Sequence, residues 1–180
     1  EAIQLRFQSV MYDGSHLSFE ENVSITRQVV EAAHAVGISV EGELGRIGGT
    51  EDDRSVDEAE AMLTDPEEAE RFVEATGVDY LAVAVGTAHG LYKGEPKLNF
   101  DRLNEIAKRV DVPLVLHGGS GVPDGAIRRA ISLGVAKINV DTELRRAFAL
   151  KAQEIWRAHP EEYHLATVFG AARDAMKEKV

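Results

Sequence analysis

The chain has 180 residues, of which 44% are hydrophobic, and this length favours a single domain over residues 1–180 with a substantial core. Its 31 acidic and 20 basic side chains give a net charge of -11, so nothing indicates a nucleic-acid partner or a membrane surface, which both need clustered cations. The absence of cysteine excludes disulfides and thiolate metal sites and agrees with a cytoplasmic protein.

Short apolar segments alternate with helical segments along the chain. Strands are predicted at 8–13, 39–44, 80–86, 113–118 and 137–140, and their continuous apolarity is typical of strands covered on both faces. Helices are predicted near 20–36, 66–76, 100–110, 124–133, 142–157 and 166–179. Repeated strand-helix units predict a parallel sheet, either doubly wound or part of an eight-stranded barrel; length alone favours the first, because a barrel needs roughly 250 residues.

Local residue chemistry fixes several helix ends. Asp65 is a plausible N-cap, Pro66 fits the first helical position, and Gly77 supplies a left-handed stop. Gly37 and Gly134 are predicted to end two further helices in the same way.

Polar residues cluster at or just after the predicted strand ends, which in a parallel sheet form one face. They are Asp13, Glu43, His89, His117, Asn139 and Asp141. Each has an ordinary structural interpretation, such as turn capping for Asp13, but their coincidence at one face favours a site. Glu41 and Glu43 share a face of one strand, so spacing does not choose between them.

Two imidazoles and several carboxylates at one face suit zinc or a similar divalent ion. His89 and His117 are the candidate nitrogen ligands, and a third strong ligand is not obvious. His16 is a weaker candidate in the loop before a helix. The remaining histidines, His34, His159 and His164, are predicted to be structural or exposed.

Two glycine-bearing or helix-starting turns are candidate phosphate sites. In "HGGSG", residues 117–121, successive backbone N–H groups can form a concave donor site, and "NVDTEL", residues 139–144, begins another helix. The first turn alone is a weak signal, since any tight strand-to-helix connection uses glycine. Together, after the last two strands, they favour phosphate binding.

The polar stretch from 43 to 65 is long for a connection between strand and helix, and such loops often act as lids. Glu51, Asp52 and Asp53 follow Gly48 and Gly49, so the loop could carry a carboxylate into the site. A solvated acidic loop is an equally acceptable interpretation.

Five stretches together resemble the class II, metal-dependent ketose-bisphosphate aldolases, which act on fructose or tagatose bisphosphate. They are "SVMYDGSHLSFEENV", "VEGELGRIGGTEDD", "LAVAVGTAHGLYKG", "PLVLHGGSG" and "KINVDTELR". The resemblance implies a (β/α)8 TIM barrel, of which this chain would contain strands four to eight and the closing helices. It also implies a cytoplasmic homodimer or homotetramer that acts on sugar phosphates.

The resemblance also implies residue roles. His89 and His117 correspond to two of three zinc ligands, Asp13 and Glu43 to carboxylates that hold a second divalent ion in some members, and Glu51 to the loop glutamate that moves the substrate proton. Lys93 lies in a loop associated with a monovalent cation. The positions that correspond to substrate-binding residues are Gly90, Gly118, Gly119, Ser120, Asn139, Asp141 and Thr142.

Two features depart from the family pattern. The family's "HLDH"-like segment, with the third zinc histidine and the aspartate acid, does not occur in these 180 residues. We therefore expect the chain by itself to bind zinc weakly and to turn over poorly or not at all. Arg6 stands where the family commonly has glycine, so it must avoid or tolerate a positive φ.

Competing functional interpretations stay open on sequence grounds. A Schiff-base aldolase would need a lysine, but Lys137 is predicted at the start of its strand, opposite the polar face. A non-catalytic subunit and a doubly wound phosphate-binding module are also compatible with the sequence. Fructose 1,6-bisphosphate is favoured over its tagatose isomer as the commoner substrate.

Overall fold

The computed structural model describes residues 1–51, 54–56, 62–90, 94 and 96–180, with the side chains of all but 49–51 and 54–56. Two compact units divide the chain, residues 1–139 and residues 140–180. The expectation of one domain over 1–180 stays a prediction. No helix in the described ranges is both long and apolar enough to cross a membrane.

The first unit contains strands and helices in alternation. Its strands are β1 (Ser9–Tyr12), β2 (Ser39–Leu44), β3 (Gly48–Glu51), β4 (Arg54–Val56), β5 (Tyr80–Val83), β6 (Ala88–His89), β7 (Leu114–Leu116) and β8 (Val135–Ile138). Its helices are α1 (Phe19–His34), α2 (Pro66–Thr76), α3 (Phe100–Ala107) and α4 (Asp124–Ser132). The second unit consists of α5 (Thr142–Ala158) and α6 (Leu165–Lys177), which pack together around Ala152, Val168 and Ala172.

Five parallel strands form the main sheet, in the order β1-β2-β5-β7-β8. This order follows the chain without reversal, whereas a doubly wound sheet reverses at a switch point. The observed order therefore does not fit a doubly wound architecture. Residues of its strands, such as Leu81, Val83, Leu114 and Leu116, lie buried in a core that also contains Phe72.

Three short strands form a second sheet, here called the hairpin sheet, in the order β4-β3-β6. β3 pairs antiparallel with β4 and parallel with β6. The sequence predicted none of these strands: β3 and β4 lie in the stretch interpreted as a loop, and β6 follows β5, which ends at Val83 instead of at 86.

The predicted helix ends are confirmed where local chemistry sets them. The side chain of Asp65 accepts hydrogen bonds from the backbone N–H groups of Glu67 and Glu68, and Pro66 is the first helical residue. Gly77 ends α2 at φ 71°. Arg6 adopts φ 57°, so arginine here tolerates the left-handed conformation that glycine adopts without strain.

A candidate metal and substrate site

His117 lies directly after β7 and is held between two carboxylates. Its side chain is 2% exposed, and its Nε2 lies 2.8 Å from Oε1 of Glu41, which is buried to the same degree. Its Nδ1 lies 3.3 Å from Oε2 of Glu43, a buried residue on the same strand as Glu41. Both ring nitrogens therefore face a carboxylate. The sequence did not decide whether Glu41 or Glu43 belongs to the site, and in the structure both contact His117.

Sheet register explains how residues of β2 reach His117 across the intervening strand. Glu43 is paired with Ala82 of β5, and Ala82 is paired with Val115 of β7. Paired residues of neighbouring strands point to the same face, and residues two apart on a strand share it, so Glu41, Glu43 and His117 lie on one face.

Lys137 also reaches this face. Its Nζ lies 2.5 Å from Oε2 of Glu41, while its own side chain is half-exposed. The prediction that Lys137 sits at the start of its strand, away from the polar face, is wrong, because β8 begins at Val135 and not at 137. A register shift between Leu114 and Val115 then pairs Lys137 with Val115.

The electrostatic balance at Glu41 favours the carboxylate. Burial alone raises the pKa of this group, but the hydrogen bonds from His117 and Lys137, together with their charges, outweigh the burial. The pKa of Glu41 therefore lies below its ordinary value, and the group is an ionised acceptor at neutral pH.

His89 lies beside His117 although it belongs to the hairpin sheet. The two ring centroids are 5.8 Å apart, with an interplanar angle of 37°. Gly118 adopts φ 66°, and a Cβ there would meet the backbone oxygen of Ala88 at 2.4 Å. Glycine thus lets the turn after β7 pack directly on the main chain of β6, and this contact brings the two histidines together.

The two imidazoles fit part of a zinc donor set. With Zn–N bonds of about 2.0–2.1 Å and tetrahedral geometry, the rings of two histidine ligands have centres roughly 5 Å apart, close to the spacing seen here. Within the described parts of the chain, no group of three or more His, Asp or Glu side chains is placed to hold a metal. A catalytic zinc has three protein ligands, so His89 and His117 can supply two of them.

Asp13 closes the turn after β1. Its Oδ1 accepts hydrogen bonds from the backbone N–H of Ser15 at 2.9 Å and from its hydroxyl at 2.6 Å. This is the capping role that the sequence offered as the ordinary interpretation. The second role, as a carboxylate for an additional divalent ion together with Glu43, stays a prediction.

Glu51 ends β3, the strand that pairs with the strand of His89. Gly49 is the register partner of His89, and Glu51 pairs with Arg54 across the hairpin. The side chain of Glu51 lies outside the described residues, as do Asp52, Asp53 and Lys93, so their predicted roles are not tested. The main chain nevertheless ties the predicted proton-transfer segment to the segment of a predicted metal ligand.

Some groups of the predicted phosphate-binding turns already take part in hydrogen bonds within the fold. In the first unit, the N–H of Gly119 donates to the carbonyl of Asn139 at 2.9 Å, so it serves to close the turn. Ser120 is buried, and Gly90 follows β6 at φ 90°. In the second unit, Thr142 begins α5 as predicted, and Asp141 accepts a hydrogen bond from Arg145. The substrate-binding roles of Gly118 and these residues stay predictions.

The other four histidines are not among the principal ligand candidates. His34 Nε2 lies 2.9 Å from Asp79 Oδ2 at the protein surface, and His16 is exposed. In the second unit, His159 follows α5 and His164 precedes α6. The expectation that His34, His159 and His164 are structural or exposed is confirmed, because all three side chains are exposed.

Comparison with known proteins identifies the family. A model of the class-II fructose-bisphosphate aldolases matches residues 1–180. The chain belongs to this family. Class II aldolases are metal-dependent lyases, and the parallel α/β sheet described above is the fold of their solved structures.

Individual aldolases are also similar to this chain in sequence and structure. A sulfofructosephosphate aldolase of Alkalicoccus urumqiensis is 57% identical over 180 residues, which are 100% of this chain and 63% of that protein. The YdjI aldolase of Escherichia coli K12 has 41% identity and a TM-score of 0.81, covering 99% of this chain and 60% of its own. A fructose-bisphosphate aldolase of Campylobacter jejuni has 27% identity and a TM-score of 0.75, covering 96% and 58%. The chain thus spans about three fifths of the length of these relatives.

Proposed function

We propose that this chain forms the C-terminal part of a class II aldolase that reversibly cleaves a ketose phosphate into dihydroxyacetone phosphate and an aldehyde. The observation that carries the proposal is the pairing of His89 and His117 at 5.8 Å, in a chain whose whole length matches the family. On this proposal, the main sheet supplies strands four to eight of a (β/α)8 barrel, which is supported by its consecutive parallel order.

The mechanism assigns the two histidines to metal binding. His89 and His117 would hold a zinc ion, which when bound acts as a Lewis acid and stabilises negative charge on the ketose oxygens during carbon–carbon cleavage. His117 enters this role already oriented, because its ring is fixed between Glu41 and Glu43. Asp13 and Glu43 are the proposed carboxylates for a second divalent ion, and the segment around Lys93 is proposed to bind a monovalent cation.

Proton transfer is assigned to Glu51, and substrate orientation to two turns of the chain. Glu51 is the proposed base that moves the proton next to the ketose carbonyl. The turn at 117–121 and the helix start at 139–142 are the proposed phosphate sites, so binding energy away from the reacting carbon would orient it. The proposed phosphate donors are N–H groups and side chains of these turns other than the N–H of Gly119, which donates within the fold.

The candidate substrates differ in the group at the end of the ketose away from the shared phosphate, which is a sulfonate in one and a second phosphate in the other. The relative at 57% identity is named for a sulfofructose phosphate, whereas the fructose-bisphosphate aldolase compared above is 27% identical. We therefore place a ketose phosphate that carries a sulfonate first and fructose 1,6-bisphosphate second, with tagatose 1,6-bisphosphate as a further isomer. A cytoplasmic homodimer or homotetramer is the proposed assembly.

Substrate competition tests the proposal in the natural-length protein, meaning the longer protein of which this chain is proposed to be the C-terminal part. We expect cleavage of a ketose phosphate that stops on metal chelation and returns with Zn2+, and a kcat/KM for sulfofructose phosphate at least tenfold above that for fructose 1,6-bisphosphate. The reverse preference would restore fructose 1,6-bisphosphate as the substrate. A protein that binds one equivalent of zinc but cleaves none of the three sugars would instead be a non-catalytic member of the family.

A further inference from the structure

We propose that Glu41 and Lys137 position His117 for metal binding: Lys137 fixes the Glu41 carboxylate, and this carboxylate accepts the Nε2–H of His117, so that Nδ1 is the ligand atom. The inference rests on the proposed function, because it takes His117 to be a metal ligand. It concerns two residues to which the family resemblance assigned no role.

The contact between His117 and Glu41 selects one form of the imidazole. The 2.8 Å contact between Nε2 and Oε1 of Glu41 needs a hydrogen between the two atoms, and because the Glu41 carboxylate also accepts from the donor-only Nζ of Lys137, we assign that hydrogen to Nε2. In the neutral ring, the lone pair then lies on Nδ1. This nitrogen faces Glu43, a carboxylate predicted to hold a divalent ion, at 3.3 Å.

Burial makes the contact between His117 and Glu41 specific. Both side chains are 2% exposed, so water does not compete for either partner. Metal-binding histidines commonly donate their second ring N–H to a carboxylate, which orients the ring and increases its basicity. The pair of His117 and Glu41 has this arrangement.

Lys137 is directed to Glu41 by an irregularity in the sheet. Leu114 pairs with Val135, and regular pairing would place Ala136 opposite Val115 and Lys137 opposite Leu116. The register shift instead places Lys137 opposite Val115, on the face of Glu41 and His117. A bulge that redirects one charged side chain onto a buried carboxylate is a specific structural device.

The ammonium group of Lys137 determines which oxygen of Glu41 is left for His117. Lysine has three donors and no acceptor, and Nζ contacts Oε2 of Glu41 at 2.5 Å. Oε1 then remains as the acceptor for the imidazole. On this proposal, Lys137 acts on the metal site through its contact with Glu41.

The first test measures the form of His117 without metal or substrate. In the metal-free natural-length protein, long-range 1H–15N NMR should show His117 protonated on Nε2. In Glu41→Leu, this preference should fall to a mixture of both neutral forms. A wild-type His117 that carries its hydrogen on Nδ1 would overturn the proposal.

The second test measures zinc affinity by competition with a chromophoric chelator. Glu41→Leu should weaken binding by about 10- to 100-fold, and Lys137→Met by a smaller factor of about 3 to 10. Because Lys137 acts through Glu41, the double variant Glu41→Leu/Lys137→Met should bind zinc no more weakly than Glu41→Leu. Wild-type affinity in Glu41→Leu, or a full additional loss in the double variant, would contradict the inference.

Two further variants separate positioning from general damage to the fold. Glu41→Gln/Lys137→Met keeps a carbonyl acceptor for His117 and removes the ammonium that would face the amide, so zinc affinity should return to within about threefold of wild type. Glu70→Leu, which removes a surface partner of Arg109, is the matched control and should leave zinc affinity unchanged. If Glu41→Leu does not fold, the rescue variant and the wild-type NMR signal decide the question.

These outcomes are distinct from those that test the function. A wild-type protein that cleaves no ketose phosphate would refute the proposed function, while the His117 signal and the zinc affinities would still decide on Glu41 and Lys137. Conversely, normal cleavage with unchanged zinc affinity in Glu41→Leu would refute the positioning role alone.

Discussion

The two predicted metal ligands are held in different ways. His117 follows a strand of the main sheet, is 2% exposed and lies between Glu41 and Glu43. His89 belongs to the hairpin sheet, on a two-residue strand whose main-chain partner is β3, and its side chain is partly exposed. One half of the candidate site is therefore fixed by a buried polar network, and the other half by main-chain pairing with the segment that ends in Glu51.

Because the two histidines are held by different sheets, orientation of His117 and the proposed proton transfer by Glu51 depend on different parts of the structure. The main sheet can fix His117 before substrate arrives, because its partners are buried side chains on neighbouring strands. The hairpin sheet links His89 to Glu51 through backbone hydrogen bonds, so the proposed base and one proposed ligand share a structural element. Substitutions in the two sheets should consequently affect different steps.

Removal of the His117 imidazole should have the largest effect. In the natural-length protein, His117→Ala should lower metal-dependent activity by about 10⁴-fold or more and abolish tight zinc binding, because a ligand and its buried carboxylate partners are disrupted together. Steady-state kinetics and metal analysis after dialysis are the measurements. Retention of most activity would return His117 to a structural role.

Removal of the Glu51 carboxylate should affect a different step. Glu51→Ala should slow exchange of the substrate proton with solvent by about 10²- to 10⁴-fold, the usual contribution of general acid–base catalysis, while zinc stays bound. Isotope exchange followed by NMR, together with metal analysis, measures both effects. Loss of zinc in this variant would show that the role assigned to Glu51 is wrong.

The contact between the two sheets can be broken at Gly118. Gly118→Ala should lower the free energy of unfolding by about 2–4 kcal/mol, because alanine is strained at φ 66° and its Cβ would overlap the oxygen of Ala88. Gly125→Ala in α4 is the matched control: its Cβ meets nothing within 4 Å, so stability should change by less than about 1 kcal/mol. Urea unfolding of both variants measures the difference, and equal stabilities would remove the proposed steric role.

The smallest expected effect lies at Asp79, at the opposite end of the main sheet's strands. Burial raises the pKa of Asp79, but hydrogen bonds from His34 and the N–H of Val40 outweigh it, so the pKa lies below its usual value of 3.8. The ionised group therefore stabilises the fold above about pH 4, and this contribution disappears as the pH falls through the lowered pKa. Because the side chain is about one-third exposed, we expect Asp79→Asn to cost only about 0.5–1 kcal/mol at pH 7.

Denaturant unfolding as a function of pH checks this sign. The stability difference between wild type and Asp79→Asn should begin to shrink as the pH falls below about 4 and should vanish below the lowered pKa of Asp79. Asp111→Asn, at an exposed position outside the helices and strands, is the control. A difference that grows on acidification would contradict the assignment.

Sequence patterns predicted the elements whose signals are local. The cap at Asp65, the stop at Gly77 and the five strands of the main sheet required only residue chemistry and continuous apolarity. The hairpin sheet lacked such a signal, because "GGTE" and "AH" are short and their hydrogen bonds come from strands distant in the chain. Secondary structure of this kind is determined by partners and not by the segment itself.

In the candidate site too, only the features with a local sequence signal were predictable. His117, His89 and Glu43 followed from their positions at strand ends, and strand periodicity had already placed Glu41 on the face of Glu43. The position of Lys137 could not be deduced, because a one-residue register shift reverses the face to which a side chain points. No property of "KINV" reveals that shift, which depends on the pairing of β8 with β7.

The close approach of Gly118 to Ala88 also bears on how this site can change during evolution or engineering. The spacing of the two histidine-bearing segments is set by contact between main chains, whereas the donor atoms are set by side chains. On the proposed metal-binding role, a substitution at His89 or His117 would exchange the donor type, and with it the preferred metal, while the backbone framework keeps its dimensions. Donor identity and donor spacing are thus separately adjustable traits of this fold.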